Sequence, residues 1–349
     1  MDKGRFRDVP PDRVLLVRLS ALGDILQCLA ALAALRAALP AAQIGWLVED
    51  RHAGILEGHP HIDRLFVWNR SARPVRAAAR VGREVNGWRP DVAVDLQGNL
   101  KSGVFLRLSG APVRIGLPRG ESKEGAHTFA TQTVAAGPPR EHRAERAMRL
   151  VAALGAVAPA APALPPIRGE ARAAVGAALA SMGVARGGYA LLVPGTSDFG
   201  AFKRWPAARF GELAARIRAE RGTASLVCFG PGQKDLAGAA VAASGGAARL
   251  APETRSLHEL LALIDGAALV VGADSGPVVL ASALGVPTVA LFGPKDPGIY
   301  APRGRRTAIV WKQVYCSPCK LRRCGDPICM STMEVDEAWD GVTRLGAIA

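Results

Sequence analysis

The sequence predicts an α/β protein in two similar halves, each a mostly parallel sheet with helices on both faces, and with a ligand cleft between the halves. Three observations carry this. The chain has 349 residues, more than one domain usually holds. Short aliphatic or β-branched runs alternate with Ala-rich stretches of helical period. The alternation stops in a proline-rich stretch, Gly155 to Gly169, and then begins again. The predicted domains are 1–160 and 161–349.

In the first half, Val14 to Val17 reads as a strand, and a long apolar-faced helix follows the turn RLSALGD toward Pro40. QIGWLVE (Gln43 to Glu49), RLFVW (Arg64 to Trp68) and DVAVDL (Asp91 to Leu96) are further strands, continuous apolar runs bounded by turn residues. PVRAAARVGREVNGW has the period of a helix ending near Gly87, and another helix covers Glu145 to Leu154. In the second half ALLVP and SLVCFG are strands, and the stretch from Pro206 to Gly222 is a helix whose proline is tolerated in the first turn. SLHELLALIDGA is the next helix, and ALVVGADSG and PTVALFGP are strand–loop units.

Composition narrows the function. Hydrophobic residues make up 49% of the chain but aromatics only 5%, so the cores are aliphatic. The net charge is +14, from 44 basic and 30 acidic side chains spread over both halves. That excess suits an anionic ligand, an anionic membrane surface or nucleic acid. Nucleic acid is disfavoured, because no ladder of aromatics interleaves the basic residues and no zinc-finger or helix-turn-helix spacing occurs. Every long apolar stretch is broken by Arg, Gly or Pro, which predicts no transmembrane helix. The N-terminus lacks the features of a signal peptide, so the expected location is cytoplasmic.

In open α/β domains, ligands sit beyond the carboxyl ends of strands, near helix N-termini. Four segments fall there, and none is a GxGxxG or Walker A loop. In RLSALGD, Asp24 is either a helix cap or a general base. In DLQGNLKSG, the residues Gln97, Asn99, Lys101 and Ser102 form either a solvated loop or a surface for a polyhydroxylated or phosphorylated substrate. In LLVPGTSDFGAFKRWP, the residues Thr196, Ser197 and Lys203 are placed to surround a diphosphate, though a lysine before a helix is also a common solvated residue. In GADSGP, Ser275 and the free amides after Gly276 are placed to hold phosphate oxygens, while Asp274 caps the turn or accepts a ligand hydroxyl.

Taken in order, VRLSALGDILQCLAAL, DLQGNLKS, GTSDFGAFKRWP and GADSGPVVLASALGVPTVALFGP resemble the glycosyltransferase family of the ADP-heptose:lipopolysaccharide heptosyltransferases, from Arg13 to about Trp339. The resemblance implies a GT-B arrangement of two Rossmann-like domains facing a central cleft, with acceptor-side residues in the first domain and the nucleotide-sugar donor in the second. It implies Asp24 as the base. It places Lys203, Asp274, Ser275 and Gly276 at the donor diphosphate and DLQGNLKS on the acceptor side. The implied reaction is inverting transfer of a sugar, heptose from ADP-heptose, onto a lipopolysaccharide inner core or lipid-linked acceptor, with peripheral contact at the inner face of the cytoplasmic membrane and no catalytic metal. Two positions depart from the family. Val279 stands where a histidine is common, and FGPGQKDLA offers only Asp235, in uncertain register, for an acidic contact to the donor ribose. These departures leave room for another nucleotide sugar, for a protein or other glycan acceptor, or for a non-catalytic nucleotide-sugar-binding protein.

Six cysteines remain to be placed. Cys28 and Cys228 fall in apolar runs that read as buried. Cys316, Cys319, Cys324 and Cys329 form a C-x2-C pair and two further thiols that can close on one tetrahedral ion. Similar clusters occur in parts of the resembling family, one of them held to bind iron. The expectation is a structural zinc or iron site remote from the reaction, with Lys320, Arg322 and Arg323 offsetting thiolate charge. Four reduced packing cysteines, or a disulfide or redox role, are the alternatives.

Overall fold

The computed structural model describes residues 10–70, 74–157, 163–319, 321 and 323–346. The chain divides into two compact units, Met1–Pro166 and Ile167–Ala349. The division falls inside the proline-rich stretch, slightly later than residue 160; residues 158–162 of that stretch lie outside the described residues.

In the first unit, β1 (Arg13–Val17), β2 (Gln43–Glu49), β3 (Arg64–Trp68), β4 (Val92–Asp95), β5 (Val113–Gly116) and β6 (Gln132–Thr133) form one parallel sheet, in the order β3-β2-β1-β4-β5-β6. Strand β1 pairs on both edges and is covered on both faces, which is why Val14 to Val17 are all apolar and fully buried. Around the sheet lie α1 (Leu22–Gln27), α2 (Leu29–Ala38), α3 (Asp50–Ala53), α4 (Pro74–Trp88), α5 (Leu100–Leu108) and α6 (Arg143–Ala152). The single helix expected after RLSALGD is divided at Cys28 into α1 and α2. Helix α4 turns Val81, Val85 and Trp88 into the core, where Trp88 packs on Phe66.

Helix α5 starts at Leu100, inside the segment DLQGNLKSG, so only residues 96–99 form the loop expected there. It buries Ser102, Gly103, Phe105 and Leu106 and leaves Leu100, Val104 and Leu108 exposed. Gly103 lets the helix approach Phe129 closely, since a Cβ there would lie 2.6 Å from the ring.

In the second unit, β7 (Tyr189–Val193), β8 (Ala224–Val227), β9 (Ala248–Leu250), β10 (Leu269–Ala273), β11 (Thr288–Phe292) and β12 (Thr307–Trp311) make another parallel sheet, in the order β12-β11-β10-β7-β8-β9. Its helices are α7 (Gly169–Ser181), α8 (Ala207–Arg221), α9 (Lys234–Ala242), α10 (Leu257–Asp265), α11 (Gly276–Ala283), α12 (Pro297–Tyr300), α13 (Ile328–Ser331) and α14 (Val335–Arg344). Helix α8 stops at Gly222, whose φ of 66° is a left-handed cap that glycine adopts without strain. The core gathers Phe210, Leu213 and Ile217 of α8 with Trp205 and with Trp339 of α14.

Counted from its own first strand, each sheet has the doubly wound order 3-2-1-4-5-6. The topological switch points therefore lie between β1 and β4 and between β7 and β10. The four singled-out segments leave the carboxyl ends of these four strands. Among the described residues no helix is long and apolar enough to cross a membrane.

Candidate active site

In the first unit, Asp24 sits in the first turn of α1, but Ala21 is the N-cap and no side chain caps the helix there. Asp24 is thus not the N-cap residue of α1. Its carboxylate meets the Arg18 guanidinium at 2.6 Å, and the Arg143 Nε lies 4.0 Å from its other oxygen. Arg18 follows β1 and is 4% exposed, and its second terminal nitrogen donates to the Leu96 carbonyl, just past β4, at 2.8 Å. One buried guanidinium thus spans the switch point and orients Asp24. Arg143 comes from α6, which packs on α1.

The acceptor-side candidates lie in a network of internal bonds. The Gln97 side-chain oxygen accepts from the Leu19 and Ser20 amides at 2.8 and 3.2 Å, fixing the loop that leads to Asp24. Asn99 caps α5 in a reciprocal box with Ser102. Ser102 is fully buried and donates to the Asp95 carboxylate at 2.9 Å. Burial pushes the Asp95 carboxyl up, against the Gly98 and Gln97 amides and Ser102, which favour the anion. Lys101 donates to Glu49 at 2.9 Å. The buried Glu49 side chain also faces Arg51 at 2.8 Å and Arg70 at 3.7 Å. Burial pushes its carboxyl up, but Lys101, Arg51 and Arg70 together outweigh burial and hold it below the ordinary value. Of the four candidates, Ser102 is wholly internal, while Gln97, Asn99 and Lys101 are half-buried.

In the second unit, Lys203 ends the 3₁₀ turn Asp198–Lys203 that follows β7. Its ammonium donates to the Asp274 carbonyl at 2.8 Å and carboxylate at 2.9 Å. Trp205, two residues on, is fully buried, with its indole N–H on the Met333 carbonyl at 2.9 Å, which anchors the segment carrying Lys203. Ser275 is the N-cap residue of α11, yet its hydroxyl makes no cap bond, and among the described residues its buried oxygen has no hydrogen-bond partner. With Pro277 in the first turn and the free amides of α11 adjacent, that oxygen is suited to an external acceptor or donor. Thr196 is buried and Ser197 exposed. Thus the structure joins Lys203, Asp274, Ser275 and Gly276 around one switch point, with Thr196 and Ser197 at the neighbouring strand end.

Several residues here were missed by sequence reasoning. Arg18, Arg143 and Glu49 carry no motif of their own, and the contacts Arg18–Leu96, Arg143–Asp24 and Glu49–Lys101 join residues remote in sequence. Arg204 donates to both Thr196 oxygens, at 3.2 and 3.1 Å. In FGPGQKDLA it is Gln233, rather than Asp235, that reaches the loop, donating to the Thr196 carbonyl at 2.7 Å. A Cβ at Gly195 would meet the Gln233 side-chain oxygen at 2.0 Å, so any larger residue there would turn Gln233 away from the Thr196 carbonyl. Asp235 is exposed in the first turn of α9, and Val279 is buried in α11.

Cys28 and Cys228 are buried, and burial pushes their thiols up to about 11 and about 12. Cys329 is also buried, Cys316 is exposed, and Cys319 and Cys324 are intermediate. Burial, then Cys316, Cys324 and Cys319, push the Cys329 thiol up to about 11, so the four share one neighbourhood. Among the described residues no three Cys, His, Asp or Glu side chains are grouped as a ready metal site. Lys320 and Arg322 lie outside the described residues. The Cys319 amide donates to the Pro294 carbonyl at 2.7 Å, in the loop that leaves β11.

Comparison with known proteins bears on the family and the fold. The profile of Glycosyltransferase family 9 (heptosyltransferase) matches residues 78–327. Lipopolysaccharide heptosyltransferase 1 of Pseudomonas aeruginosa is 32% identical over 89% of this chain and 87% of its own length. The family 9 glycosyl transferase structure from Veillonella parvula superposes with a TM-score of 0.83 at 22% identity, covering 96% of this chain and 97% of that one. The E. coli heptosyltransferase WaaC with ADP gives 0.74 at 23% identity, covering 96% and 100%. The chain belongs to glycosyltransferase family 9, and its two Rossmann-like units have the fold of the GT-B heptosyltransferases.

Proposed function

We propose that the protein is an inverting heptosyltransferase that moves heptose from ADP-heptose onto a lipopolysaccharide inner-core acceptor. The observation that carries this is the pair of switch points: one presents an arginine-oriented carboxylate, the other a lysine and, at a helix N-terminus, a serine hydroxyl without a partner among the described residues. Asp24 takes the proton from the acceptor hydroxyl as that oxygen attacks the anomeric carbon. Lys203, Ser275 and the α11 amides take up charge on the departing nucleoside diphosphate. Fixed protein groups then serve departure, without a catalytic metal. Two relatives named lipopolysaccharide heptosyltransferase 1, at 32% and 25% identity, support the sugar and the acceptor.

Val279 and Gln233 favour a second reading, in which the donor is a different nucleotide sugar or the acceptor a protein or another glycan. An apolar Val279 cannot donate to a phosphate or sugar, and Gln233 brings an amide instead of a carboxylate to the Thr196 loop. The purified protein incubated with a panel of nucleotide sugars, with released nucleoside diphosphate as the readout, separates the two. Preference for ADP-heptose supports the first reading, and preference for another donor overturns it.

The proposed location is cytoplasmic, with the enzyme touching the inner face of the membrane where its acceptor resides. The exposed Leu100, Val104 and Leu108 of α5, beside Arg107, support such contact, since apolar side chains flanked by cations suit an anionic lipid surface. Co-sedimentation with anionic but not neutral vesicles is the expected result. We also propose that the four-cysteine segment closes on a structural zinc or iron ion. The shared neighbourhood of the four thiols supports this, although they are not grouped as ligands beforehand.

A further inference from the structure

We infer that Lys295 is a second cation of the donor site, held in reserve over Phe202 and used to neutralise the nucleoside diphosphate. The inference rests on the donor reading given above and extends it to a residue that sequence patterning did not single out.

The need for a second cation follows from the charge already spent. Lys203 is the obvious phosphate contact, but its ammonium is bonded to Asp274 at 2.9 Å, so the pair is neutral before ligand arrives. Arg204 is turned to the Thr196 oxygens and lies 3.6 Å from Asp198. A sugar diphosphate carries negative charge on both phosphates and gains more as the glycosidic bond breaks. Helix amides and one hydroxyl can orient that charge but do not cancel it.

Lys295 fits the deficit in three respects. First, it leaves the carboxyl end of β11, the strand next to β10, and the Asp274 amide donates to Leu291 of β11 at 3.2 Å. It therefore emerges beside the Asp274–Gly276 turn. Second, its ammonium stands 5.2 Å from the Phe202 ring centre, and Phe202 directly precedes Lys203. Third, it makes no ion pair among the described residues, unlike Lys203. A cation resting on an aromatic face keeps its full charge and gives up only a modest attraction when it turns to a phosphate.

The loop that carries it is held firmly. The Gly293 carbonyl accepts from the Trp311 indole at 3.1 Å and the Pro294 carbonyl from the Cys319 amide at 2.7 Å. Only the flexible side chain then has to move, which preserves affinity by limiting ordering costs.

The test is calorimetric binding of ADP to the wild type, Lys295→Met and Lys295→Arg, with melting of each ligand-free protein alongside. Methionine keeps an apolar side chain over Phe202 without the charge, so ligand-free melting should not change. ADP should bind Lys295→Met about tenfold to a hundredfold more weakly, the loss expected for one charge-assisted contact. Lys295→Arg should restore most of it, and added salt should weaken binding to the wild type more than to Lys295→Met. Wild-type binding with equal affinity for Lys295→Met would overturn the role of Lys295 and leave the donor reading standing. No ADP binding by the wild type would overturn both. If Lys295→Met does not fold, Lys295→Gln is read against the same outcomes.

Discussion

The Arg18 guanidinium lies 2.6 Å from the Asp24 carboxylate and, through its other terminal nitrogen, 2.8 Å from the Leu96 carbonyl. The end of β1, the start of α1 and the end of β4 are therefore held by one side chain. Such a clamp costs desolvation of a buried cation and is retained where direction matters. Asp24→Asn keeps the shape and removes the base. Turnover should fall about 100-fold or more, while ADP affinity measured by calorimetry stays within about twofold. Near-normal turnover in a folded Asp24→Asn protein would remove Asp24 from the role of base.

Lys203 and Asp274 give a prediction that neither residue gives alone. Lys203→Ala leaves the Asp274 carboxylate uncompensated where phosphates arrive, so ADP affinity should fall by roughly 2–3 kcal/mol. The double variant Lys203→Ala/Asp274→Ala should bind ADP better than Lys203→Ala, because the repelling charge is gone. A double-mutant cycle by calorimetry measures this coupling. Additive losses would show that the pair does not act on the ligand together.

Most of the fold was legible in the sequence because both sheets are parallel and buried on both faces, so their strands read as unbroken aliphatic runs such as RVLLV and YALLV. Helix α5 was not. It buries Ser102 and Gly103 with Phe105 and Leu106 and exposes Leu100, Val104 and Leu108, so apolar residues lie on both faces and no single apolar stripe marks the helix. Segment order brought the candidate residues to the right strand ends. It could not show that Ser102 is internal, that Gln97 holds the Leu19–Ser20 loop, or that Lys203 is paired with Asp274. Those are contacts between residues far apart in the chain, and local pattern carries no trace of them.

Glu49 gives a prediction for pH. Its carboxyl is held below the ordinary value of 4.5, so its contribution to stability is full above that value and is lost as pH falls through the folded-state value. Glu49→Gln should lower unfolding stability at pH 7 by about 1–3 kcal/mol, less than for a fully buried pair because Lys101, Arg51 and Arg70 reach solvent. The gap to wild type should narrow in denaturant titrations run at a pH below 4.5. An equal gap at both pH values would mean that Glu49 acts by packing and not by charge.

The cysteine segment predicts metal content and its pH dependence. Protein purified anaerobically without chelator should hold about one equivalent of zinc or iron by elemental analysis. The Cys329 thiol, pushed up to about 11 by burial and its neighbours, must lose its proton to become a ligand. Metal uptake by stripped protein should therefore release protons and strengthen as pH rises from 7 to 8. Cys319→Ser should lower metal content and melting temperature together. Metal well below one equivalent would return the four thiols to a packing role.

Transfer itself is the most direct test of the account. The purified protein, ADP-heptose and a lipopolysaccharide inner-core acceptor lacking heptose are incubated together, and the acceptor is weighed by mass spectrometry. The predicted result is an acceptor heavier by a single heptose residue, with equimolar ADP released, and no such product from Asp24→Asn. An unmodified acceptor in the presence of folded, ADP-binding wild-type protein would contradict it.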